Sequence, residues 1–183
     1  MSQNARFAPG TLIAVPQLLD PNFFHAVVLL IEHTDEGAMG LTINHPTDQS
    51  IRDLYEQLGR PWSGDEKAFL MRGGPVQPEH AWIVHGPGCD AGTRHPIVDD
   101  IYLNTSLDAL DELVERREDY RFFVGYAGWG PGQLDREVQE GAWILSNVDK
   151  TLLFHTDLGS IWETALKNMG IDPAMLVMGR GVH

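Results

Sequence analysis

The chain has 183 residues, 43% of them hydrophobic and 21% charged, a length and balance that support a folded core without disulfides or metals and exclude a disordered polymer. Lys and Arg number 13 against 26 Asp and Glu, and the formal charge of -13 repels nucleic-acid phosphates and anionic lipid, so direct DNA binding and membrane attachment are disfavoured. Cys89 is the single cysteine, which rules out an intramolecular disulfide and a multi-cysteine zinc site and fits a reducing compartment.

Met1 to Gly10 lack the basic start and apolar run of a signal peptide, and no stretch reaches the roughly 20 apolar residues of a membrane helix. The expected location is the cytoplasm, with residues 1–10 loosely ordered ahead of the fold. Asp20-Pro21-Asn22 supplies turn chemistry, and Ala26 to Glu32 (AVVLLIE) is an apolar, branched run suited to a central strand buried on both faces. Thr34 to Gly37 turns the chain into a second strand, Met39 to Ile43, and Pro46 is expected to end it.

Ser50 is placed to cap a helix with Ile51, Leu54 and Leu58 on one face and Gly59 at its left-handed end. Residues 59 to 66 read as loop. Phe69 to Met71 and Ala81 to His85 read as short strands around the turn Gly73-Gly74-Pro75, followed by a second irregular stretch, Gly86 to Gly92.

Ile101 to Leu103 is expected as a strand. Thr105 or Ser106 then opens a helix whose buried stripe is Leu107, Leu110, Leu113 and Val114. Tyr120 to Ala127 reads as a strand, Gln133 to Gln139 as a helix stopped by Gly141, and Trp143 to Leu145 and Leu152 to Phe154 as strands. Ser160 with Glu163 suggests a capping box for a helix from Ile161 to Asn168, and Asp172 before Pro173 a last helical turn. Strands grouped with strands and helices interspersed irregularly argue α+β in a single domain spanning 1–183.

Familiar catalytic spacings are missing: there is no phosphate-loop Gly-Lys-Ser/Thr, no His-Glu-x-x-His, no Gly-x-Ser-x-Gly and no calcium loop. The eight histidines are scattered, so no metal site, cofactor or catalytic residue is assigned. Cys89 lies in a Gly-rich loop beside Asp90, which would raise its thiol pKa, and reads as a structural thiol. The basic cluster Arg116, Arg117 and Arg121 is diluted by Glu115, Glu118 and Asp119.

The most unusual segment is GYAGWGPGQL, residues 125 to 134, where a strand meets glycines at 128, 130 and 132 before a helix. That layout can aim backbone N–H groups and a helix start at a phosphate or carboxylate. Asp135 and Glu137 in the first helical turn oppose a bound anion, and on balance Gly128 and its neighbours serve close backbone approach, with Trp129 buried or capping a pocket. Arg72, directly before Gly73 and Gly74, suits a carboxylate from elsewhere in the chain or an anionic ligand. Asn44 ends a strand before His45-Pro46, where Asn commonly satisfies its own turn. The candidate ligand-binding set is therefore Asn44, Arg72, Gly73, Gly74, Gly128, Trp129 and Gln133.

Leu12-Ile13-Ala14-Val15-Pro16, Asp20-Pro21-Asn22-Phe23, Glu32-His33, Gly37 to Leu41, Asn44-His45-Pro46, Gly73 to Val76, Gly125 to Trp129, Gly132-Gln133-Leu134, Trp143 and the Trp162 segment resemble, in the same order, the AlgH (YqgE) family of bacterial proteins. The resemblance covers nearly the whole chain. It implies an α+β fold with a branched, partly barrel-like β-sheet surrounded by helices, in a family of uncharacterised proteins of which one is linked to transcriptional control. His45 departs from the Arg or Lys usual in the family, and the ending Gly179 to His183 departs from Gly-His-Ala.

The acidic balance makes an operator-binding role physically awkward. The reading is a non-enzymatic binding or regulatory module that acts indirectly in transcription through an unidentified protein partner or a small anionic ligand. The alternative is a nucleotide- or anion-binding protein or enzyme with its pocket at the Gly-rich loops. No residue pattern specifies an oligomeric state.

Overall fold

The computed structural model describes residues 7–18 and 20–176. The apolar runs become strands β1 (Gly10–Ala14), β2 (Val27–Thr34) and β3 (Gly37–Thr42). The first five residues of the Ala26 to Glu32 run are buried, as a strand covered on both faces requires. Strand β4 (Pro46–Ser50) follows, then helix α1 (Ile51–Gln57), β5 (Phe69–Arg72), β6 (Val76–His85), β7 (His95–Val98) and β8 (Ile101–Asn104). The chain continues through α2 (Leu107–Glu115), β9 (Tyr120–Trp129), α3 (Gln133–Gln139), β10 (Trp143–Ser146) and α4 (Lys150–Phe154). A 3-10 turn, Leu158–Ser160, leads into α5 (Ile161–Asn168).

One sheet runs in the order β10-β1-β2-β3-β9-β6-β8-β7, and the pair β4-β5 branches from it at β9. Every pairing is antiparallel except β5 with β9. The branch is a steric device. Along one edge β9 pairs first with β5, at Phe123 and Val124, and then with β3, at Ala127 to Trp129. Gly73 bridges the two: its N–H donates to the Val124 carbonyl at 2.8 Å and its carbonyl accepts from the Thr42 N–H at 2.8 Å.

The chains cross so closely there that a Cβ on Gly74 would enter the Tyr126 carbonyl, and one on Gly125, at φ +73°, would meet the Gly74 oxygen. Glycine is required at these positions by backbone-on-backbone contact. The curled, branched, α+β architecture expected from the family resemblance is the one observed.

Helices cover both faces. On one, α4 and α5 close a core of Leu29, Leu41, Val84, Phe123, Leu153 and Trp162. On the other, α3 covers Leu12, Val28, Leu30 and Trp143 at one end, and α1 and α2 cover Ile83, Leu70 and Phe122 at the other.

Several local expectations need correction. Pro46 ends nothing; it opens edge strand β4, a position where the missing N–H costs no ladder bond. The Leu152–Phe154 run is the end of helix α4, whose cap Asp149 accepts from the N–H groups of Thr151 and Leu152. Ser160 makes no side-chain cap bond, because its backbone is already helical (φ -107°, ψ -3°) in the preceding 3-10 turn. In α1 the buried residues are Ile51 and Tyr55, while Leu58 is exposed. Strand β7 had no clear sequence signal.

Within the stretch expected to be loose, positions 1–6 lie outside the described residues. Phe7 packs into the α3-side core and donates its N–H to His33 Nδ1 at 3.1 Å. The departing tail, 179–183, also lies outside the described residues.

Candidate functional site

A groove of about 910 Å³ lies on the sheet face that carries α4 and α5. Register explains why it is open. Met39 of β3 stands opposite Gly128 of β9, and Val76 of β6 stands opposite Tyr126. Between Val76 and Ala81, residues 77–80 arch out against the single β9 position 125, raising one wall. The β2–β3 hairpin raises the other.

Half-buried Ile31, Met39, Trp82, Leu103 and Tyr126 supply apolar walls. Trp82 and Tyr126 meet edge to face at 6.1 Å. Glu32, Thr34, Glu36, Gln77 and His80 form the polar margin. Gly128 is exposed, and a Cβ there would make only ordinary contacts, 3.5 Å to Tyr126 Cε2 and 3.6 Å to Val76 Cγ2.

Of the residues singled out from sequence, Gly128 and Trp129 line this groove. Trp129 is 5% exposed. Its Nε1 donates to Glu137 at 3.0 Å, the Trp143 Nε1 to the same oxygen at 2.9 Å, and Gln133 Nε2 to the other oxygen at 2.9 Å. Gln133 also accepts from the Gly130 N–H at 3.0 Å. One loop amide that an anion would use is thus satisfied internally, and Gln133 and Glu137 act as a clasp holding the loop to α3.

Asn44 is a latch as well, accepting from the Val27 N–H at 3.0 Å and donating to the His25 carbonyl at 2.9 Å. Gly73 and Gly74 form the branch crossing. Arg72 does not line the groove. It is half-buried and donates to Asn22 Oδ1 at 3.2 Å, and among the described residues it has no carboxylate partner. His45 stands near enough for the guanidinium to depress its pKa, although burial is the larger cause and the Phe24 carbonyl opposes both.

The remaining sequence candidates are structural in their surroundings. Cys89 is buried, its thiol pushed up by burial. Arg116 pairs with Glu112 at 2.6 Å and Arg121 donates to the Phe154 carbonyl at 3.0 Å, so two of the three arginines of the basic cluster are engaged in separate contacts, and Arg117 is exposed. Among the described residues no group of three His, Cys, Asp or Glu is placed to hold a metal. No helix among them is long and apolar enough to cross a membrane. The groove walls escaped sequence reasoning because Ile31, Trp82 and Leu103 read as ordinary strand residues, and only sheet pairing brings them together.

A family model described as AlgH-like matches residues 11–174. The chain belongs to the AlgH-like family. Among AlgH-like relatives, a UPF0301 protein of Myxococcus xanthus is 38% identical over 179 residues, covering 96% of this chain and 98% of the relative. One from Thioalkalivibrio sulfidiphilus is 34% identical, covering 96% of each. The solution structure of the AlgH protein from Pseudomonas aeruginosa superposes with a TM-score of 0.77 at 30% identity over 97% of both chains. A crystal structure from Corynebacterium diphtheriae shares the AlgH-like fold at a TM-score of 0.74 and 19% identity, covering 92% of this chain and 90% of its own.

Proposed function

We propose that this AlgH-like protein is a non-enzymatic binding module whose ligand occupies the groove between the β2–β3 hairpin and the β6 arch. The observation that carries the reading is the open floor at Gly128, where the side chain opposite Met39 is missing, with the Trp82–Tyr126 aromatic pair and the aliphatic Ile31 and Met39 among the lining residues. A concave, mostly apolar site of this volume with a few polar groups at its margin is the usual form of a small-molecule site. Any part in transcription then runs through ligand or partner binding, since the charge of -13 opposes DNA.

The test is a thermal-shift screen of the full chain against metabolites, nucleotides, metals and duplex DNA, because a ligand specific to the native state raises the melting temperature. A dose-dependent shift abolished by Gly128→Phe supports the reading. A ligand that shifts wild type and Gly128→Phe equally overturns it.

Arg72 favours a second reading, an anion site beside Asn22 and His45, because a half-buried guanidinium without a described carboxylate has donors to spare. Inorganic phosphate that stabilises wild type but not Arg72→Gln would support it, and equal shifts in the two would sink it.

A further inference from the structure

Resting on the groove reading, we infer that the groove takes a small organic cation, an ammonium or guanidinium group carried on an apolar body. Its walls offer the faces and edges of Trp82 and Tyr126, and aromatic rings attract cations through their quadrupole. Its margin carries Glu32 and Glu36, both exposed, and among the described residues neither is paired with a cation.

No Lys or Arg is among the described residues lining it; His80 is the one basic side chain there. An anionic ligand would meet two carboxylates and no fixed positive charge. A neutral ligand would leave both carboxylates without a role. The net charge of -13 adds a long-range field that gathers cations and disperses anions. The anionic ligand expected from sequence is therefore disfavoured in this groove, whatever occurs at Arg72.

The volume, about 910 Å³, falls within the range of small-molecule sites, which selects a free amine over a folded partner. Ile31, Met39 and Leu103 then bury the apolar body while the charged head stays at the acidic margin.

The experiment compares three probes that share one body and differ in charge: phenylbutylamine, phenylbutanol and phenylbutyrate. Each is titrated calorimetrically into the full chain near neutral pH. The amine is expected to bind about tenfold more tightly than the alcohol, as one cation–π contact plus screened rim charges would give, and the carboxylate most weakly. The Glu32→Gln, Glu36→Gln double variant should lower the amine-over-alcohol preference to the few-fold that the aromatic rings alone supply, and an unchanged tenfold preference in that variant would overturn the role of the acidic margin.

Equal affinity for amine and alcohol, or tighter binding of the carboxylate, overturns the cation assignment and leaves the groove reading standing. Silence of all three probes, or amine binding that survives Gly128→Phe, overturns both. A melting curve of each variant verifies that it is folded.

Discussion

A Cβ at Gly74 would enter the Tyr126 carbonyl, whereas one at Gly128 meets only side-chain atoms at 3.5 Å or more. Two glycines that both approach Tyr126 thus have opposite tolerances. Gly74→Ala is expected to cost more than about 3 kcal/mol in urea unfolding, because two backbones must separate at the branch. Gly128→Phe should cost less than about 1 kcal/mol, since an aromatic suits a strand and the groove is open. Glu137 gives the other residue-level expectation. Removing it orphans two indole N–H groups and the Gln133 amide, so Glu137→Ala should cost about 2–4 kcal/mol and Glu137→Gln less, read from tryptophan fluorescence against urea. The sequence marked Trp129 and Gln133 as notable, but their clasp on Glu137 was hidden. The carboxylate looked like dipole compensation in the first turn of α3, and nothing in the spacing says that Trp143, on another element, shares it.

Elements with strong local punctuation were legible. Ser50 accepts from the Asp53 N–H to start α1, and Gly59 and Gly141 adopt φ +70° and +80° after α1 and α3, as their positions required. Helix α4 was not legible, because three consecutive apolar residues satisfy a strand or a buried helix equally. Its identity rests on Asp149, and Asp149→Ala should cost about 1 kcal/mol, measured by chemical denaturation. Strand β7 and the extra length of β6 are also products of pairing. His95 and Pro96 are strand residues because β8 lies beside them, and the residues 77–80 arch exists because β9 offers only one position against it.

For the molecule as a whole, the histidines set the acid limit. His85 is fully buried, with Nδ1 2.7 Å from the Gly86 carbonyl, and burial lowers its pKa below the ordinary 6.5. His25 and His45 are lowered for the same first reason. A base whose folded pKa lies below its unfolded value contributes stability that is complete above the unfolded value and is lost as pH falls through the folded one. The histidine contribution to the urea midpoint at physiological salt should therefore be flat above the ordinary histidine pKa of 6.5 and decline below it, with a shallower decline in His85→Gln, while the raised Cys89 thiol acts only at alkaline pH. An unchanged slope in that variant would remove His85 from the account.

Composition, charge and ordered motifs were enough to establish an acidic α+β chain of the AlgH-like family, because burial demand, capping and turn chemistry act over a few neighbouring residues and leave their mark in the text of the chain. The groove left no such mark. It exists because sheet register sets Gly128 against Met39 and Val76 against Tyr126, and because the branch at Gly73, Gly74 and Gly125 curls the sheet. Register joins residues far apart in sequence through backbone hydrogen bonds that any side chain can make, so the site became visible only with the fold.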